Sequence, residues 1–449
     1  MRLPGCWWLA ILGVLWLDTV AAKSVAGDRM LVLLPSEDAA AEHKWFLRVL
    51  GEDGFSVAVR AASNTSVVLH QDGARLYDHA VLLAPKASKL GGKLGAGDFV
   101  RFVEDGGNLI VAGSSELSDT QRRLAKQFGV DYEPRGAHVV DMVHHFSNNS
   151  MEDPQIVGVS EFPSAPTVLS EGFSTPYPGT VYYRGTGFSY AADNPLLIPV
   201  MVGQQSTVSV TRQGRVQATA NGDAPLSGRA LGLFAVFQAR NNARVAFSGS
   251  ADMFTDAAIS LRGGINLPFL RDIIAWVRQE KSVLRATRHS HYLADAPGER
   301  PEHYRVGDRM VYEIDLSVYE RNEWKPYTAD DVQLEVTMLD PHIRATLNRT
   351  HAVENDGVPA MRYRGDIRLP DRYGTFTFRV NYKRRGLSAV DVRETVGIWP
   401  LRHDGYPRFL VAAYPYYAGS LAMAVGFLAL SAAWLWTGDA PAQSKRKTK

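Results

Sequence analysis

Four stretches of the chain offer residues able to do chemistry. The segment HVVDMVHHFSNN supplies His138, Asp141, His144 and His145. Imidazoles and a carboxylate so close together are the raw material of a metal site or a proton relay. Their spacing fits neither H-E-x-x-H nor a Cys/His set, so the segment reads as a surface strand and loop with ordinary histidines. AGSSE and SGSAD set Ser114, Ser115, Ser248 and Ser250 directly after apolar runs, where the nucleophile of an α/β hydrolase sits. Neither is G-x-S-x-G, and these serines read as shaping or capping strand–helix turns. GTGFSY (185–190) has two of the three glycines of a dinucleotide fingerprint but follows a Tyr-rich segment instead of a buried strand.

Further tests for chemistry give the same answer. The loop PSEDAAAEH after the first apolar run lacks the glycines that let a backbone approach a pyrophosphate, and no P-loop motif occurs. EDGGN and TADDV read as turn chemistry. The basic run YKRRG (382–386) reads as a hairpin turn, with a face for lipid head groups or a partner as the alternative. No stretch unites nucleophile, base and oxyanion donor. The expectation is therefore no catalytic residue, no cofactor-binding residue and no metal ligand in this chain.

Composition narrows the setting. The 449 residues have room for two or three domains, and a formal net charge of +2 gives no basic field for nucleic acid. Arg2, the apolar stretch Cys6–Leu17 and DTVAA form the n-region, h-region and cleavage site of a signal peptide over 1–22, cut after Ala22. A mature chain starting near Lys23 would have no cysteine, since Cys6 is the only one. That would exclude disulfides, thiolate metal sites and cysteine nucleophiles together. The charge-free run 418–436 is about 29 Å long as a helix, which matches the hydrocarbon thickness. Tyr414, Tyr416 and Tyr417 flank one end, Trp434 and Trp436 the other, and Lys445, Arg446, Lys447 and Lys449 follow. These features predict one transmembrane helix with a cytosolic tail (437–449) and the bulk of the chain on the lumenal side, a type I topology. Asn64, Asn148 and Asn348 open N-x-S/T sequons, the glycosylation candidates of such a topology.

The elements that would carry these residues follow from periodicity. RMLVLLP (29–35), HAVLLAP (79–85) and NLIVAGS (108–114) are apolar throughout and read as buried strands. Between and after them lie helices with one apolar face. In the first, Trp45, Phe46, Val49 and Leu50 share a face and Gly54 stands near the stop; in the second the face is Phe99, Phe102 and Val103. In the third, Leu117, Leu124 and Phe128 align, Ser118 and Gln121 form a capping box, and Gly129 ends the helix. The pattern argues for a parallel sheet covered on both faces. Residues 131–230, rich in Pro, Gly, Ser and Thr, read as an insertion of β-hairpins and loops with short runs at 195–203 and 206–210. LFAVFQA and RVAFSGS resume the α/β pattern, and PFLRDIIAWVRQ is a helix with Pro268 in its first turn and Phe269, Leu270, Ile273, Ile274 and Val277 as its stripe. From about 288, alternation at period two predicts an antiparallel β-sandwich. The expected organisation is a flavodoxin/amidotransferase-like α/β domain (23–285), a β-sandwich (286–400), a juxtamembrane segment (401–417) broken by Pro415, and the span.

Several stretches, taken together, resemble one family: GGNLIVAGSS (106–115), ADNPLL (192–197), QARNNARVAFSGSADMFTD (238–256), WKPYTADDVQLEVTMLDPHIRATL (324–347), LPDRYGTFTFRVNY (369–382) and YPYYAG (414–419). They are similar to the DDOST or Wbp-type subunits of the oligosaccharyltransferase (dolichyl-diphosphooligosaccharide–protein glycosyltransferase) complex. The similarity runs from about residue 28 to the end of the span and is weakest over 140–230. It implies an accessory, non-catalytic subunit in the endoplasmic reticulum membrane, needed for assembly and efficient en bloc transfer of oligosaccharide from dolichyl diphosphate to asparagine in N-x-S/T. The partners it implies are a multi-span catalytic subunit holding the divalent metal, ribophorin-like subunits and the small defender-against-death subunit, with the lipid-linked sugar or the nascent chain as ligand of the lumenal part. Lys445 and Lys447 then match the K-x-K-x-x form of a retrieval signal to that compartment. The alternatives are a self-contained lumenal hydrolase or amidotransferase on the same sheet, and a cargo receptor.

Overall fold

Apolar strands form the spine of the first unit because side chains on a strand alternate between faces, and both faces here are covered. The computed structural model describes residues 24–437 apart from 53, 92–93, 149–150, 174–178, 212–225, 341, 407 and 409. Residues 1–22 with their expected leader, Lys445 and Lys447 lie outside the described residues. In chain order the first unit runs β1 (Arg29–Leu34), α1 (Lys44–Glu52), β2 (Ser56–Ala61), β3 (His79–Leu82), α2 (Ala96–Glu104), β4 (Asn108–Ala112), α3 (Asp119–Gln127), β5 (Val130–Tyr132), β6 (Phe188–Tyr190), β7 (Leu197–Val202), β8 (Gly232–Gln238), β9 (Arg244–Ser248) and α4 (Asn266–Val277). One nine-stranded sheet has the order β2-β1-β3-β4-β9-β8-β6-β5, with β7 also paired to β8.

Alternation divides the core in two. Met30, Val32 and Leu34 pack with α1 and α4, while Leu31 and Leu33 pack with α2 and α3 on the other face. The expected helix faces are the buried ones: Phe46, Val49 and Leu50 in α1, Phe99, Phe102 and Val103 in α2, and Leu124 in α3. Ser118 accepts from Gln121 N, as a cap should. The Gln121 side chain does not close the box. It donates instead to Ala84 O at 2.8 Å and ties α3 to the end of β3. Gly129 takes a φ of +82°, the left-handed conformation that ends a helix.

The sheet is not parallel throughout. β2-β1-β3-β4-β9 pair in parallel, but β8 runs antiparallel to β9 and carries β6 and β7 antiparallel on its far side. An all-apolar strand buried on both faces has the same composition whichever way its neighbour runs, so GLFAVFQ gave no warning. Parts of the 131–230 region thus belong to the main sheet. Its remainder forms a three-stranded sheet from His145–Asn148, Met151–Val159 and Val181–Tyr183, and the pair His138–Asp141 with Thr207–Val210.

Beyond α4 the chain enters β10 (Lys281–Leu293), followed by β11 (His303–Arg305), β12 (Arg309–Glu320), β13 (Glu323–Pro326), β14 (Gln333–Thr337), β15 (His342–Thr346), β16 (Asn348–Asn355), β17 (Val358–Arg368), β18 (Gly374–Tyr382) and β19 (Val390–Trp399). Two five-stranded sheets, β10-β12-β17-β16 with β13 on β12, and β11-β19-β18-β14-β15, enclose a core that includes Tyr304, Tyr312, Ile314, Tyr363, Phe376 and Phe378. All pairs are antiparallel except β11 with β19. The last helix, α5, spans Tyr414–Trp436 and starts earlier than the charge-free run. Pro415 lies in its first turn and initiates it instead of breaking it, because a first-turn residue needs no N–H donor. Within the helix and its one-turn lead-in from Val411, the most apolar stretch of 18 residues has a mean hydropathy of 1.8 and is unburied, which is long and apolar enough to cross a membrane.

The two ends of the sandwich have different neighbours. At one end Tyr382 pairs with Val390, and the intervening turn docks on the α/β unit. At the other end Gly374 pairs with Ile398, and from Trp399 the chain leaves for α5. The nine residues of β18 cover roughly 30 Å. The sandwich therefore lies, along the chain, between the α/β unit and the exit to α5.

Candidate functional site

The candidate serines are used inside the scaffold. Ser248 Oγ donates to Ser250 O and accepts from Ser250 N; Ser250 Oγ donates to Arg184 O at 2.5 Å and accepts from Met253 N. Ser114 Oγ accepts from Glu116 N, while the Ser115 carbonyl accepts from Gly136 N. These are turn and cap roles, as the sequence indicated. GTGFSY likewise holds the fold together. Thr186 N donates to Gly249 O, and a Cβ on Gly249 would stand 1.9 Å from Thr186 O, so two backbones touch where a phosphate would have to enter.

The histidine segment does assemble a site, around Asp141. This fully buried carboxylate accepts from Val143 N and His144 N at 2.8 Å, Ser206 Oγ at 2.9 Å and Thr207 Oγ1 at 2.8 Å. Burial alone would raise its pKa, but these four donors together hold it below the ordinary carboxylate range. His144 Nδ1 lies 3.0 Å from Ser206 Oγ and 3.8 Å from Asp141. The order is histidine, hydroxyl, carboxylate. In a hydrolytic triad the imidazole stands between the other two, so that it can take the hydroxyl proton. Here that proton is already directed at Asp141, and Ser206 is anchored instead of activated. His138 and His145 lie on separate strands, His138 opposite Val210 and His145 opposite Val157, and do not join this group.

His144 borders a cleft of about 650 Å³. Its walls come from distant parts of the chain: Glu161–Ser164, Tyr190, Pro199, Val202–Gln205 and Arg229. Gln204 Nε2 donates to Ser160 Oγ, Tyr190 Oη donates to Arg229 O, and Arg229 lies 3.8 Å from Glu161. Aromatic and prolyl faces next to amide and charged groups suit an extended polar ligand with stackable rings or peptide planes. Periodicity gave no sign of the cleft, since its walls near 144, 161–164, 190, 199–205 and 229 lie far apart in sequence.

A second constellation explains the QARNNAR stretch. Gln238 Nε2 donates to Leu387 O. Asn241 Nδ2 donates to Val103 O and Glu104 O at the end of α2. Asn242, at a φ of +69°, exchanges hydrogen bonds with the backbone of Ala389 in both directions. Arg244 is wholly buried, and its guanidinium donates to Trp276 O (2.6 Å), Lys281 O (2.7 Å), Ser282 O (2.6 Å) and Ser388 Oγ (3.3 Å). It also lies over the Trp276 ring at 4.6 Å, and Trp276 Nε1 donates to Gly386 O. Burial pulls the Arg244 pKa down to about 9, which still leaves a cation at neutral pH. This short stretch joins sheet, α2, α4, β10 and the sandwich turn. The YKRRG segment is that turn: Arg385 donates to Leu197 O, and Arg384 pairs with Asp331.

The three sequons occupy different settings. Asn348 is exposed at the start of β16, and Thr350 Oγ1 donates to Arg362 O. Asn64 is half-buried, with Oδ1 accepting from both N and Oγ of Ser66. Asn148 ends a strand, and its Ser150 lies outside the described residues.

Comparison with known proteins matches nearly the whole chain. Residues 21–280 fit the OST48 N-terminal domain, and residues 289–438 fit the OST48 middle domain. Subunit wbp1 of the dolichyl-diphosphooligosaccharide–protein glycosyltransferase of Schizosaccharomyces pombe is 33% identical over 92% of this chain and 93% of its own. The 48 kDa subunit of the same transferase is 29% identical in Caenorhabditis elegans, over 97% of both chains, and 30% identical in Danio rerio, over 92% of this chain and 93% of that one. Among solved structures, a ThuA-like protein from Parabacteroides merdae matches at 13% identity and a TM-score of 0.30, over 56% of this chain and 89% of that one, too distant to bear on the fold. The stretch that knits the two units together, QARNNARV, is thus part of a likeness that runs nearly end to end, and the chain belongs to the OST48 family.

Proposed function

We propose that this chain is the 48 kDa, Wbp1-type subunit of an oligosaccharyltransferase, acting in N-linked glycosylation as an accessory, non-catalytic component. The observation that carries the proposal is the match to such subunits along nearly the full length of both partners. The role read from the residues is to build and hold. The polar side chains first considered for chemistry are engaged in caps, turns and the Asp141 cage. The first unit is a flavodoxin- or amidotransferase-like scaffold, supported by its five parallel strands, which in chain order lie 2-1-3-4-5 across the sheet. Residues 23–285, 286–400 and 418–436 are its α/β, sandwich and transmembrane parts; the separate core of the sandwich supports the division.

The chain is a single-pass type I protein of the endoplasmic reticulum membrane, glycosylated on one or more of Asn64, Asn148 and Asn348 and retrieved through Lys445 and Lys447. Its neighbours are the multi-span catalytic subunit, which holds the divalent metal, ribophorin-like subunits and the defender-against-death subunit. Gly419, Ser420, Ala422, Ala424 and Gly426 give the span small residues for packing against partner helices. The 650 Å³ cleft, held by the sandwich at a distance from the span, receives the donor sugar or the acceptor chain. Isolation in mild detergent should recover a multi-subunit transferase, and depletion should leave sequons of other glycoproteins under-occupied. An isolated monomer with turnover of its own refutes the proposal. Lys445→Ala with Lys447→Ala in unassembled chain should redistribute it to the Golgi.

A further inference from the structure

The end of the sandwich remote from the α/β unit exposes large apolar side chains that its fold does not require. Leu339, in the turn between β14 and β15, is 103% exposed and has a φ of +42°, a conformation suited to glycine or asparagine. Tyr373, just before β18, is 68% exposed. Trp399, the last residue of β19, is 53% exposed and stacks on His303 with ring centroids 3.9 Å apart.

The register brings the three together. Thr337 faces Thr377, so the turn beyond it lies beside Gly374, and Met338 Sδ reaches that glycine. Gly374 in turn faces Ile398, next to Trp399. All three side chains therefore lie along one end of three adjacent strands.

The same end is tethered to the span. Only residues 400–413 separate Trp399 from α5, a reach of at most about 50 Å even if fully extended. Short helical turns at His403–Gly405 and Val411–Ala413 shorten it further. Tyr406, Leu410 and Val411 continue the exposed apolar surface along that connection. The loops at this end carry more carboxylates (among them Asp295, Asp308, Asp340, Asp371 and Asp404) than arginines, so attraction to an anionic surface is not what it offers. Trp, Tyr and Leu without a cationic cluster fit the interface of a zwitterionic bilayer, where amphipathic rings settle at head-group depth.

We propose that the α5-proximal end of the sandwich rests in the lumenal interface of the bilayer through Leu339, Tyr373 and Trp399, and so fixes the standing orientation of the lumenal part. This inference rests on the reading that α5 spans the membrane. The test uses full-length chain with Cys6→Ser, reconstituted in phosphatidylcholine nanodiscs. A nitroxide is placed singly through Leu339→Cys, Tyr373→Cys or, at the opposite end, Glu323→Cys. Collision with oxygen, which concentrates in lipid, is compared with collision with a water-soluble nickel chelate. The oxygen-to-nickel ratio at Leu339 and Tyr373 should exceed that at Glu323 several-fold. Equal, water-like ratios at all three sites, in chain retained by the nanodiscs, overturn this inference alone. Low collision with both reagents at the tip marks a protein contact and also overturns it. Loss of the chain from the nanodiscs overturns the spanning reading and this inference with it.

Discussion

Replacing Arg244 by methionine tests whether a buried cation with no carboxylate partner among the described residues holds the α/β unit and the sandwich together. Its guanidinium gives four hydrogen bonds, three of them to backbone carbonyls of α4 and β10. Methionine fills part of the volume but donates to none of them. An unsatisfied buried acceptor costs about 1–3 kcal/mol, which would give roughly 3–9 kcal/mol for three carbonyls. Two of the carbonyls keep a second donor, since Gln279 N also bonds Trp276 O and Ser388 N also bonds Ser282 O. The loss therefore belongs at the low end, about 3 kcal/mol. Opposing it is relief from burying a charge, and buried ion pairs exchanged for apolar side chains have at times gained about 1–4 kcal/mol. The two terms differ in sign, so the measurement decides between them.

For a unit of this size a loss of about 3 kcal/mol lowers the thermal midpoint by roughly 6–12 °C. Near-ultraviolet circular dichroism of the full chain in detergent follows that midpoint, and protease cutting near 279–283 reports whether the joint opens first. Arg244→Lys retains donors but not the fork, so its midpoint should fall between the other two. Arg240→Met, at an exposed neighbour, should leave it unchanged. A midpoint for Arg244→Met equal to or above that of the parent refutes the reasoning. It would mean that charge burial outweighs the four hydrogen bonds.

Other perturbations address separate parts of the molecule. His79 is buried and neutral, with Nε2 at 2.9 Å from Gly27 O and Nδ1 at 3.3 Å from Asn108 Nδ2, and burial lowers its pKa to about 4. The unfolded chain, with an ordinary value near 6.5, binds more protons between those limits. Stability should therefore fall as pH drops through 6.5 toward 4, by about 2 kcal/mol at pH 5 from this residue, and the slope of denaturation midpoint against pH should flatten in His79→Gln. Asn348→Gln should remove one glycan-sized step in gel mobility from protein made in cells, because Asn348 is exposed, and an unchanged mobility refutes its modification. Leu339→Asn should raise the midpoint of chain in detergent by the relief of about 1 kcal/mol of left-handed backbone, while lowering the oxygen-to-nickel ratio of a nitroxide at Tyr373 in nanodiscs.

The sequence displayed most of the helices and strands because their patterns are local. The stripe of α2 and the alternation of β12 and β18 are complete within one segment. Strand direction was not legible, since GLFAVFQ is equally apolar beside a parallel or an antiparallel neighbour. The short strands β5 and β6 pair only with remote partners and carry no period of their own. Trp276 lies seven residues on from Phe269, at the edge of the buried α4 stripe, and the same period places it there. Arg244 was opaque for another reason. Residue type places an arginine at the surface, and only the converging carbonyls of α4 and β10 show why it is inside. The cleft was hidden because its walls meet only after folding.

The placement of these features gives the sandwich a mechanical role. One of its ends is locked to the α/β unit by hydrogen bonds from Gln238, Asn242, Arg244 and Trp276 to the 386–389 turn. Its other end carries the exposed apolar tip and the connection to α5. A cleft on the first unit can hold a fixed height above a bilayer only if both joints resist rotation. Buried, multiply bonded polar groups make the first joint stiff, because any rotation there leaves donors and acceptors unpaired in a dry interior. Among its described residues the second joint buries no polar group in this way, so the sandwich would swivel there unless the tip itself is held. The two joints are therefore coupled in their effect. Loosening Arg244 should disorder the cleft relative to the sandwich, whereas removing the apolar tip should leave the α/β unit and sandwich intact but free to tilt. Distances measured by paired spin labels, one in each unit and one across to α5, separate the outcomes. Broadening of both distributions by either change alone would refute the division into one stiff joint and one lipid-held joint.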